Sequence, residues 1–306
     1  MIKTEKLTKS FEDFTALSDV SCTIPDGCIY GMVGSNGAGK STFLRLLSGV
    51  YRPDDGQITI DNMPVFENSR IKKQIAFIPD DLFFLPGSNM KRMADFYSSI
   101  YESFDKDRFN TLTEAFNLNP SKNINTFSKG MKRQVAIILA LSSHPKYMFF
   151  DETFDGLDPV MRNLVKGLIC KDVIDNNTTT IITSHSLREL EDICDQLSLL
   201  HKGGLILESD IEGLKTSHFK VQIAFSEDYD TSIFAGIPYM YIKKQGSVTN
   251  MIVTGDYNNA INRLKSMNPI LMDILPLSLE EVFTYEMQKL GYNFDEILNE
   301  ESNYEY

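Results

Sequence analysis

The stretch GSNGAGKST, residues 34–42, constrains this chain more than any other part of its sequence. An apolar segment, residues 28–33, precedes it, and a run with helical character, residues 43–47, follows it. Three glycines among these nine residues predict a tight strand-to-helix turn whose backbone N–H groups can face an anion.

The spacing of this stretch satisfies the phosphate-loop pattern G-x-x-x-x-G-K-[ST]. In such a loop the amides surround the phosphates, the lysine reaches the β- and γ-phosphates, and the serine hydroxyl binds Mg²⁺. A plain strand-to-helix turn is the alternative. The pattern predicts nucleotide contacts from Gly34, Ser35, Asn36, Gly37, Ala38, Gly39, Lys40, Ser41 and Thr42.

A second stretch, YMFFDE at residues 147–152, supplies the carboxylates that hydrolysis requires. Its apolar run predicts a buried strand that ends in Asp151, which is placed to hold Mg²⁺, followed by Glu152, which is placed to take a proton from water. Two adjacent carboxylates also occur at ordinary strand ends. Together with the phosphate loop, however, they predict a nucleotide-hydrolysing site.

Composition and charge narrow the class of protein. The net charge of −12 and a pI near 4.9 argue against a general nucleic-acid binder, because phosphate neutralisation needs clustered Lys and Arg. Apolar runs such as residues 135–141 are shorter than the roughly 20 residues that cross a membrane. The first residues of the sequence do not resemble a signal peptide. The cysteines are not spaced as zinc ligands are. We therefore expect reduced, buried thiols at Cys22, Cys28, Cys170 and Cys194.

Strand-like segments alternate with helical ones, which predicts an α/β core with a parallel sheet. Helical spacing dominates residues 81–141 and predicts a helical subdomain inserted into that core. The predicted strands of the core are residues 2–7, 20–24, 57–60, 75–78, 147–150 and 179–183.

The sequence after residue 212 changes in character and carries no catalytic pattern. It predicts a small α/β extension over residues 213–290 and a loose acidic tail over residues 291–306. Within the extension, Ser278 and Glu281 have the spacing of a helix capping box. The predicted elements are strands at 219–225, 239–243, 250–254 and 270–275, and helices at 257–267 and 278–290.

Three further motifs accompany the phosphate loop and the paired carboxylates. They are FSKGMKRQ at 127–134, GLDP at 156–159 and TSH at 183–185. In this order the five motifs resemble an ABC transporter ATP-binding subunit of the exporter type with a separate membrane subunit. The resemblance covers residues 1–212 and implies a P-loop NTPase (RecA-like) core that uses ATP and Mg²⁺.

The resemblance also implies roles at a dimer interface. Cassettes of this family pair head to tail, so Ser128, Lys129 and Gly130 would face the γ-phosphate of a nucleotide held by the partner. Asp158 would reach across the dimer. The alternative for Ser128 is a purely structural one, in which its side chain caps the following helix. Both roles can hold together.

Two aromatic side chains complete the implied site. His185 would contact the γ-phosphate and orient Glu152 and the attacking water, whereas a lone histidine after a strand is more often structural. Phe11 occupies the position where the family places a ring that stacks on adenine. As an isolated phenylalanine it would instead belong to the core.

The chain departs from the family pattern at several positions. Asp80 stands where a glutamine is usual; it would join Ser41 and Asp151 around Mg²⁺, but it adds negative charge there. Lys129 replaces a glycine of the signature motif and brings a positive charge near the γ-phosphate. Thr153, next to the catalytic glutamate, replaces a usual proline, and Glu152 itself is retained.

The leading functional hypothesis is therefore an ATP-hydrolysing subunit that powers export of a peptide, antibiotic or lipid. It implies a polytopic membrane partner, a homodimer or heterodimer of cassettes, and a location at the cytoplasmic face of the membrane. No nucleic acid is expected. The alternatives are a soluble ABC ATPase of translation or DNA repair, and a weakly hydrolysing regulatory subunit.

Overall fold

The computed structural model describes residues 1–213, 218–275, 277–289 and 291. The chain divides into two compact units, Met1–Glu208 and Ser209–Tyr306. The first boundary lies close to residue 212, where the sequence predicts the end of the ATP-binding domain. Apart from residue 291, the predicted acidic tail lies outside the described residues.

The first ten strands form two sheets, and the last of them, β10, continues two residues past Glu208. The six-stranded sheet has the order β10-β9-β3-β8-β7-β6, and the four-stranded sheet has the order β2-β1-β4-β5. In chain order the strands are β1 (Ile2–Phe11), β2 (Phe14–Ile24), β3 (Ile29–Val33), β4 (Asp55–Ile60), β5 (Met63–Pro64), β6 (Ile75–Ile78), β7 (Tyr147–Asp151), β8 (Thr179–Ser184), β9 (Gln196–His201) and β10 (Gly204–Asp210).

The six-stranded sheet contains the predicted parallel core. β3 pairs in parallel with β8 and β9, and β7 pairs in parallel with β6 and β8. Every residue of β3, β7 and β8 is buried, as expected for strands covered on both faces. The register sets Asp151 beside Thr183 and Val33 beside Ser184, so the phosphate loop after β3 and the paired carboxylates after β7 lie at the same edge of the sheet, on either side of β8.

The first strands of the chain lie outside this parallel sheet, contrary to the prediction. β1 pairs antiparallel with both β2 and β4. Only Glu12 and Asp13 link β1 to β2, and so short a connection permits a hairpin but not a parallel crossover. Glu12 adopts a positive φ of 50°, which closes this tight turn.

The helices of the first unit are α1 (Lys40–Leu47), α2 (Ser69–Lys72), α3 (Met90–Ile100), α4 (Lys106–Ala115), α5 (Lys129–Ser142), α6 (Pro159–Asn176) and α7 (Leu187–Glu191). The inserted helical region is confirmed by α3, α4 and α5. Each begins at a side-chain N-cap, supplied by Asn89, Asp105 and Ser128 respectively. Residues 81–89 at the start of the predicted region form no α-helix.

The second unit is a four-stranded antiparallel sheet with helices. Its strand order is β12-β13-β11-β14. The elements are β11 (His218–Ala224), β12 (Tyr239–Gln245), β13 (Val248–Thr254), α8 (Tyr257–Ser266), β14 (Leu271–Leu275) and α9 (Leu279–Lys289). The predicted capping box is confirmed, because Ser278 Oγ accepts from the Glu281 amide at 3.2 Å while Glu281 Oε2 accepts from the Ser278 amide at 3.1 Å.

Two further expectations concern membrane spans and cysteines. Within the described residues, no helix combines the length and apolarity that crossing a membrane requires. All four cysteines are free. Cys22, Cys28 and Cys194 are buried as predicted, and burial raises the pKa of the Cys22 thiol to about 12. Cys170 is the exception, since it is only partly buried on α6.

Candidate active site

Glycines shape the phosphate loop between β3 and α1. A Cβ atom on Gly34 would lie 2.3 Å from the Leu200 carbonyl oxygen, and one on Gly39 would lie 2.5 Å from the Ala16 carbonyl oxygen. Gly39 also adopts a φ of 109°, which side chains other than glycine rarely allow. These close approaches require glycine at both glycine positions of the loop pattern, and they bring the loop backbone close to the neighbouring strands.

Lys40, the first residue of α1, points back into the loop. Its Nζ donates to the carbonyl oxygens of Gly34 at 2.6 Å and Ser35 at 3.0 Å. The same ammonium lies 3.2 Å from Glu152 Oε1. Lys40 is 4% exposed, so this cation is held in place by the protein at the point where the loop pattern predicts phosphate.

Asp151, at the end of β7, accepts hydrogen bonds from two hydroxyl groups. Its Oδ1 accepts from Thr183 Oγ1 at 2.9 Å and from Ser41 Oγ at 3.1 Å. Its Oδ2 is buried and has no hydrogen-bond partner among the described residues. Burial raises the pKa of Asp151, and the hydrogen bonds from Thr183 and Ser41 oppose that shift.

This arrangement fits a divalent cation. A buried carboxylate oxygen without a donor is unfavourable by itself and is a ligand that Mg²⁺ prefers. Ser41 and Asp151 meet there, as the sequence predicts, and their assignment as ligands remains a prediction. The sequence analysis did not include Thr183 as a support of Asp151, because the pairing of β7 with β8 sets Thr183 beside it and the sequence does not show that pairing.

Glu152 leaves the strand in a left-handed conformation, with a φ of 47°. Its amide donates to Thr183 Oγ1 at 3.1 Å. Glu152, Asp155 and His185 each offer one side-chain atom, and these three atoms lie within 4.8 Å of one another. The structure thus brings together Glu152, the predicted base, and His185, the histidine predicted to contact the γ-phosphate, and it adds Asp155, which the sequence analysis did not include.

Asp155 contacts the histidine directly. Its Oδ2 lies 3.8 Å from His185 Nδ1. Burial raises the pKa of Asp155, while His185 works in the opposite direction. A carboxylate that accepts a hydrogen bond from an imidazole fixes the tautomer and orientation of the ring, but 3.8 Å is longer than a hydrogen bond, so the two groups are neighbours without one.

A cavity of about 280 Å³ lies beside Lys40, Ser41 and Glu152. Its lining residues are Phe14, Ala16, Asn36, Gly37, Gly39, Lys40, Ser41, Thr42, Asp80 and Glu152. Asp80 therefore lies at the same cavity as Ser41, as expected. Gly37 has a φ of 78° and open space where a Cβ would stand, so its backbone can be approached closely.

The aromatic side chains at the tip of the β1–β2 hairpin differ in their surroundings. Phe11 packs edge-on against Tyr51, with ring centroids 5.2 Å apart. Phe14, its cross-strand neighbour, lines the cavity and is 60% exposed. The adenine contact assigned to Phe11 stays a prediction, and Phe14 is a second candidate that the sequence reasoning missed. Only the hairpin pairing reveals it.

The signature-like residues lie elsewhere, at a helix N-terminus. Ser128 and Lys129 are exposed, and Ser128 Oγ accepts from the Met131 amide at 3.2 Å. Asp158 is exposed as well and caps α6, because its Oδ1 accepts from the Val160 amide at 3.0 Å. Neither segment lines the cavity with Lys40. The structural alternative for Ser128 is thus confirmed as one of its roles.

Known proteins identify the family to which this site belongs. A sequence profile of the ABC transporter family matches residues 17–155. ABC transporter ATP-binding protein YtrB of Bacillus subtilis (strain 168) is 30% identical over 284 residues, which is 92% of this chain and 97% of that protein. The chain belongs to the ABC transporter ATP-binding proteins.

Other ABC relatives are named for export or transport. Bacitracin transport ATP-binding protein BcrA of Bacillus licheniformis is 31% identical over 223 residues, covering 72% of this chain and 73% of the relative. Nod factor export ATP-binding protein I of Rhizobium sp. (strain N33) is 29% identical over 284 residues, covering 90% and 93%. These ABC relatives do not favour a role in translation or DNA repair.

Solved ABC structures confirm the predicted P-loop NTPase fold. The ATP-binding subunit of an ABC transporter aligns with a TM-score of 0.66 and 24% identity, covering 71% of this chain and 92% of that chain. A dimeric ATP-binding cassette bound to ADP and Pi aligns with a TM-score of 0.63 and 21% identity, covering 69% and 99%. As an ABC ATPase, the chain is an ATP-hydrolysing transporter subunit.

Proposed function

We propose that this ABC subunit binds MgATP in the cavity at Lys40 and, by ATP-driven pairing of two cassettes, powers export through a separate membrane subunit. The observation that carries the proposal is the meeting of Lys40, Asp151 and Glu152 at one end of the parallel sheet. A buried cation, an unpartnered carboxylate oxygen and a candidate base are what phosphoryl transfer to water needs.

In this proposal each residue has a distinct task. Lys40 exchanges its present contacts for phosphate oxygens, and Ser41 and Asp151 hold Mg²⁺, with Asp80 beside them. When bound, Mg²⁺ neutralises charge on the phosphates. Glu152 accepts the proton of the attacking water, and His185 orients that water against the γ-phosphate.

The second half of the nucleotide site comes from another cassette. Ser128, Lys129 and Gly130 stand at the N-terminus of the fourteen-residue helix α5, where amides and the helix dipole favour an anion. Asp158 contacts the same interface. A homodimer and a heterodimer both satisfy this geometry. The rate of ATP hydrolysis distinguishes this proposal from the alternative, a weakly hydrolysing regulatory subunit.

The membrane partner would contact the helical region. Phe83 is 80% exposed and Phe96 of α3 is 42% exposed, and such side chains suit a groove for a cytoplasmic helix of a membrane subunit. The chain would then work at the cytoplasmic face of the membrane. The relative named for Nod factor export supports export as the direction, and the relative named for bacitracin transport supports an antibiotic, peptide or lipid as cargo.

Hydrolysis and dimerisation in the Glu152→Gln variant test the proposal. We expect its steady-state MgATP hydrolysis to fall by roughly 10²- to 10⁴-fold, the usual contribution of a general base. Nucleotide binding should survive, and a MgATP-dependent dimer should accumulate in sedimentation experiments. The exposed Glu114 on α4 supplies the control, since Glu114→Gln should leave both properties unchanged.

Two results would contradict the proposal. Equal, near-zero rates in the wild type and Glu152→Gln would favour the weakly hydrolysing regulatory subunit. If hydrolysis by the wild type did not change on co-reconstitution with a polytopic membrane protein that co-purifies with it, the transport coupling would be contradicted, while the ATPase assignment would stand.

A further inference from the structure

Arg133 on α5 connects two loops of the candidate site. Its guanidinium donates through Nη2 to the Asp80 carboxylate and, at 3.2 Å, to the Asp80 carbonyl oxygen. Through Nη1 it donates to the Asp155 carbonyl oxygen. The Arg133 side chain is 10% exposed, whereas Asp80 is 58% exposed and lines the cavity. The cation therefore stands behind the carboxylate, on its protein side.

Charge makes this contact consequential. Asp80 faces the cavity that also contains Lys40 and Glu152. A triphosphate is strongly anionic, so an uncompensated carboxylate at this wall would repel it. The guanidinium of Arg133 supplies the compensating positive charge at hydrogen-bond distance. In return, Asp80 satisfies a buried cation whose isolation would be costly.

The same side chain reaches the turn that bears the catalytic cluster. The Asp155 carbonyl oxygen accepts a hydrogen bond from Nη1 of Arg133. The carbonyl oxygen of the next residue, Gly156, would lie 2.7 Å from a Cβ on Gly130. Helix α5 thus touches that turn at two points. A displacement of α5 would move Asp80 and Asp155 together.

We propose that Arg133 is a positioning residue that neutralises Asp80 and fixes it relative to the Asp155 turn. This inference rests on the proposed function, because the anion whose repulsion is avoided is the triphosphate. Asp80 is then primarily the charge partner of Arg133. Its sequence-based assignment to the Mg²⁺ shell becomes an alternative outcome of the test.

A double-mutant cycle with Arg133→Gln and Asp80→Gln tests the pair. Arg133→Gln leaves the carboxylate unpaired, and we expect the KM for MgATP to rise about tenfold, less at high salt because Asp80 is accessible to counterions. Asp80→Gln alone should change KM by less than about threefold. The double variant should return to within about threefold of Asp80→Gln, since the repelling charge is gone.

Three outcomes would overturn the inference. The double variant could remain as impaired as Arg133→Gln, which would mean that Arg133 acts through the Asp155 carbonyl or through packing alone. The Arg133→Gln defect could be unaffected by salt. Finally, Asp80→Gln could raise the Mg²⁺ concentration for half-maximal activity more than about tenfold, which would make Asp80 a metal ligand.

Thermal unfolding without nucleotide keeps the test independent of folding defects and of the proposed function. The Tm losses of the two single variants should be non-additive if the groups pair, and additive losses would contradict the pair. An active wild type with additive variants refutes this inference alone. A wild type that neither binds nor hydrolyses MgATP refutes the proposed function, and the Tm cycle still judges the ion pair.

Discussion

Two faces of this cassette are built in different ways. The phosphate-loop face comprises residues 34–42 with Asp151 and Glu152, and the signature face comprises residues 128–130 with Asp158. On the phosphate-loop face, Lys40 and Asp151 are buried and held by contacts within the chain. On the signature face, Ser128 and Asp158 are exposed, and their described side-chain contacts are helix caps. The first face is organised by the chain itself, whereas the second offers groups that a neighbouring cassette could use.

Physical chemistry accounts for this difference. A buried charge must be paired, so Lys40 and Asp151 can be kept only where the fold surrounds them with acceptors and donors. An exposed helix N-terminus needs no such enclosure, because one capping side chain and solvent satisfy its amides. We therefore expect substitution of a phosphate-binding residue such as Lys40 to weaken nucleotide binding in the monomer, and substitutions on the signature face to act on the dimer.

The largest effect in this comparison is expected for Lys40→Ala. It removes charge-assisted hydrogen bonds to phosphate, each typically about 1.5–3 kcal/mol, so the affinity for MgATP should fall about 10- to 100-fold. Equilibrium binding of a fluorescent nucleotide to the monomer measures it. Lys171→Ala, on the exposed surface of α6, is the matched control and should bind normally. Undiminished affinity in Lys40→Ala would take the phosphate site away from this face.

The phosphate-loop face was largely predictable from sequence because its requirements are local. Gly34 and Gly39 are needed where backbone approaches backbone, and that need leaves a fixed spacing in the sequence. Asp151 and Glu152 end a buried strand, which an apolar run followed by carboxylates indicates. The capping box at Ser278 is local in the same sense.

The remaining features depend on pairing between distant segments. The antiparallel pairing of β1 with β4 joins residues that are far apart in sequence. Thr183 supports Asp151 through strand register, and Phe14 reaches the cavity through the hairpin. Arg133 on α5 contacts Asp80, which follows β6. Apolar periodicity reports burial, but it does not report which buried segments become neighbours.

An intermediate effect is expected where α5 contacts the turn at Asp155 and Gly156. Gly130→Ala would set a Cβ 2.7 Å from the Gly156 carbonyl oxygen, and backbone cannot yield as a flexible side chain does. Such overpacking typically lowers stability by about 1–3 kcal/mol. Because relief of the clash would shift α5 against the turn at Asp155, we also expect roughly tenfold slower hydrolysis at saturating MgATP, which corresponds to about 1.4 kcal/mol in the barrier. Monomer affinity for nucleotide should be retained, which separates this face from that of Lys40.

Gly167→Ala on α6 provides the matched control for Gly130→Ala. Apart from position 167's chain neighbours and the backbone of α6 itself, no atom of the residues that the structure describes lies within 4 Å of a Cβ there, so the added methyl group meets open space. Alanine also favours a helix over glycine by about 1 kcal/mol, and a small gain in Tm is expected with unchanged hydrolysis. If Gly130→Ala hydrolysed ATP as fast as Gly167→Ala, the close approach of α5 to the turn would have no catalytic role.

The smallest change separates the two roles of Ser128. Ser128→Ala removes the cap from the Met131 amide and should lower stability by about 1 kcal/mol. Ser128→Asp retains a good cap, so its Tm should match the wild type, but it sets a negative charge where the partner's γ-phosphate is expected. Sedimentation in the Glu152→Gln background should then show the MgATP-dependent dimer for Ser128→Ala and its loss for Ser128→Asp. A dimer that forms equally in both would leave Ser128 as a cap alone and would end the contrast between the two faces.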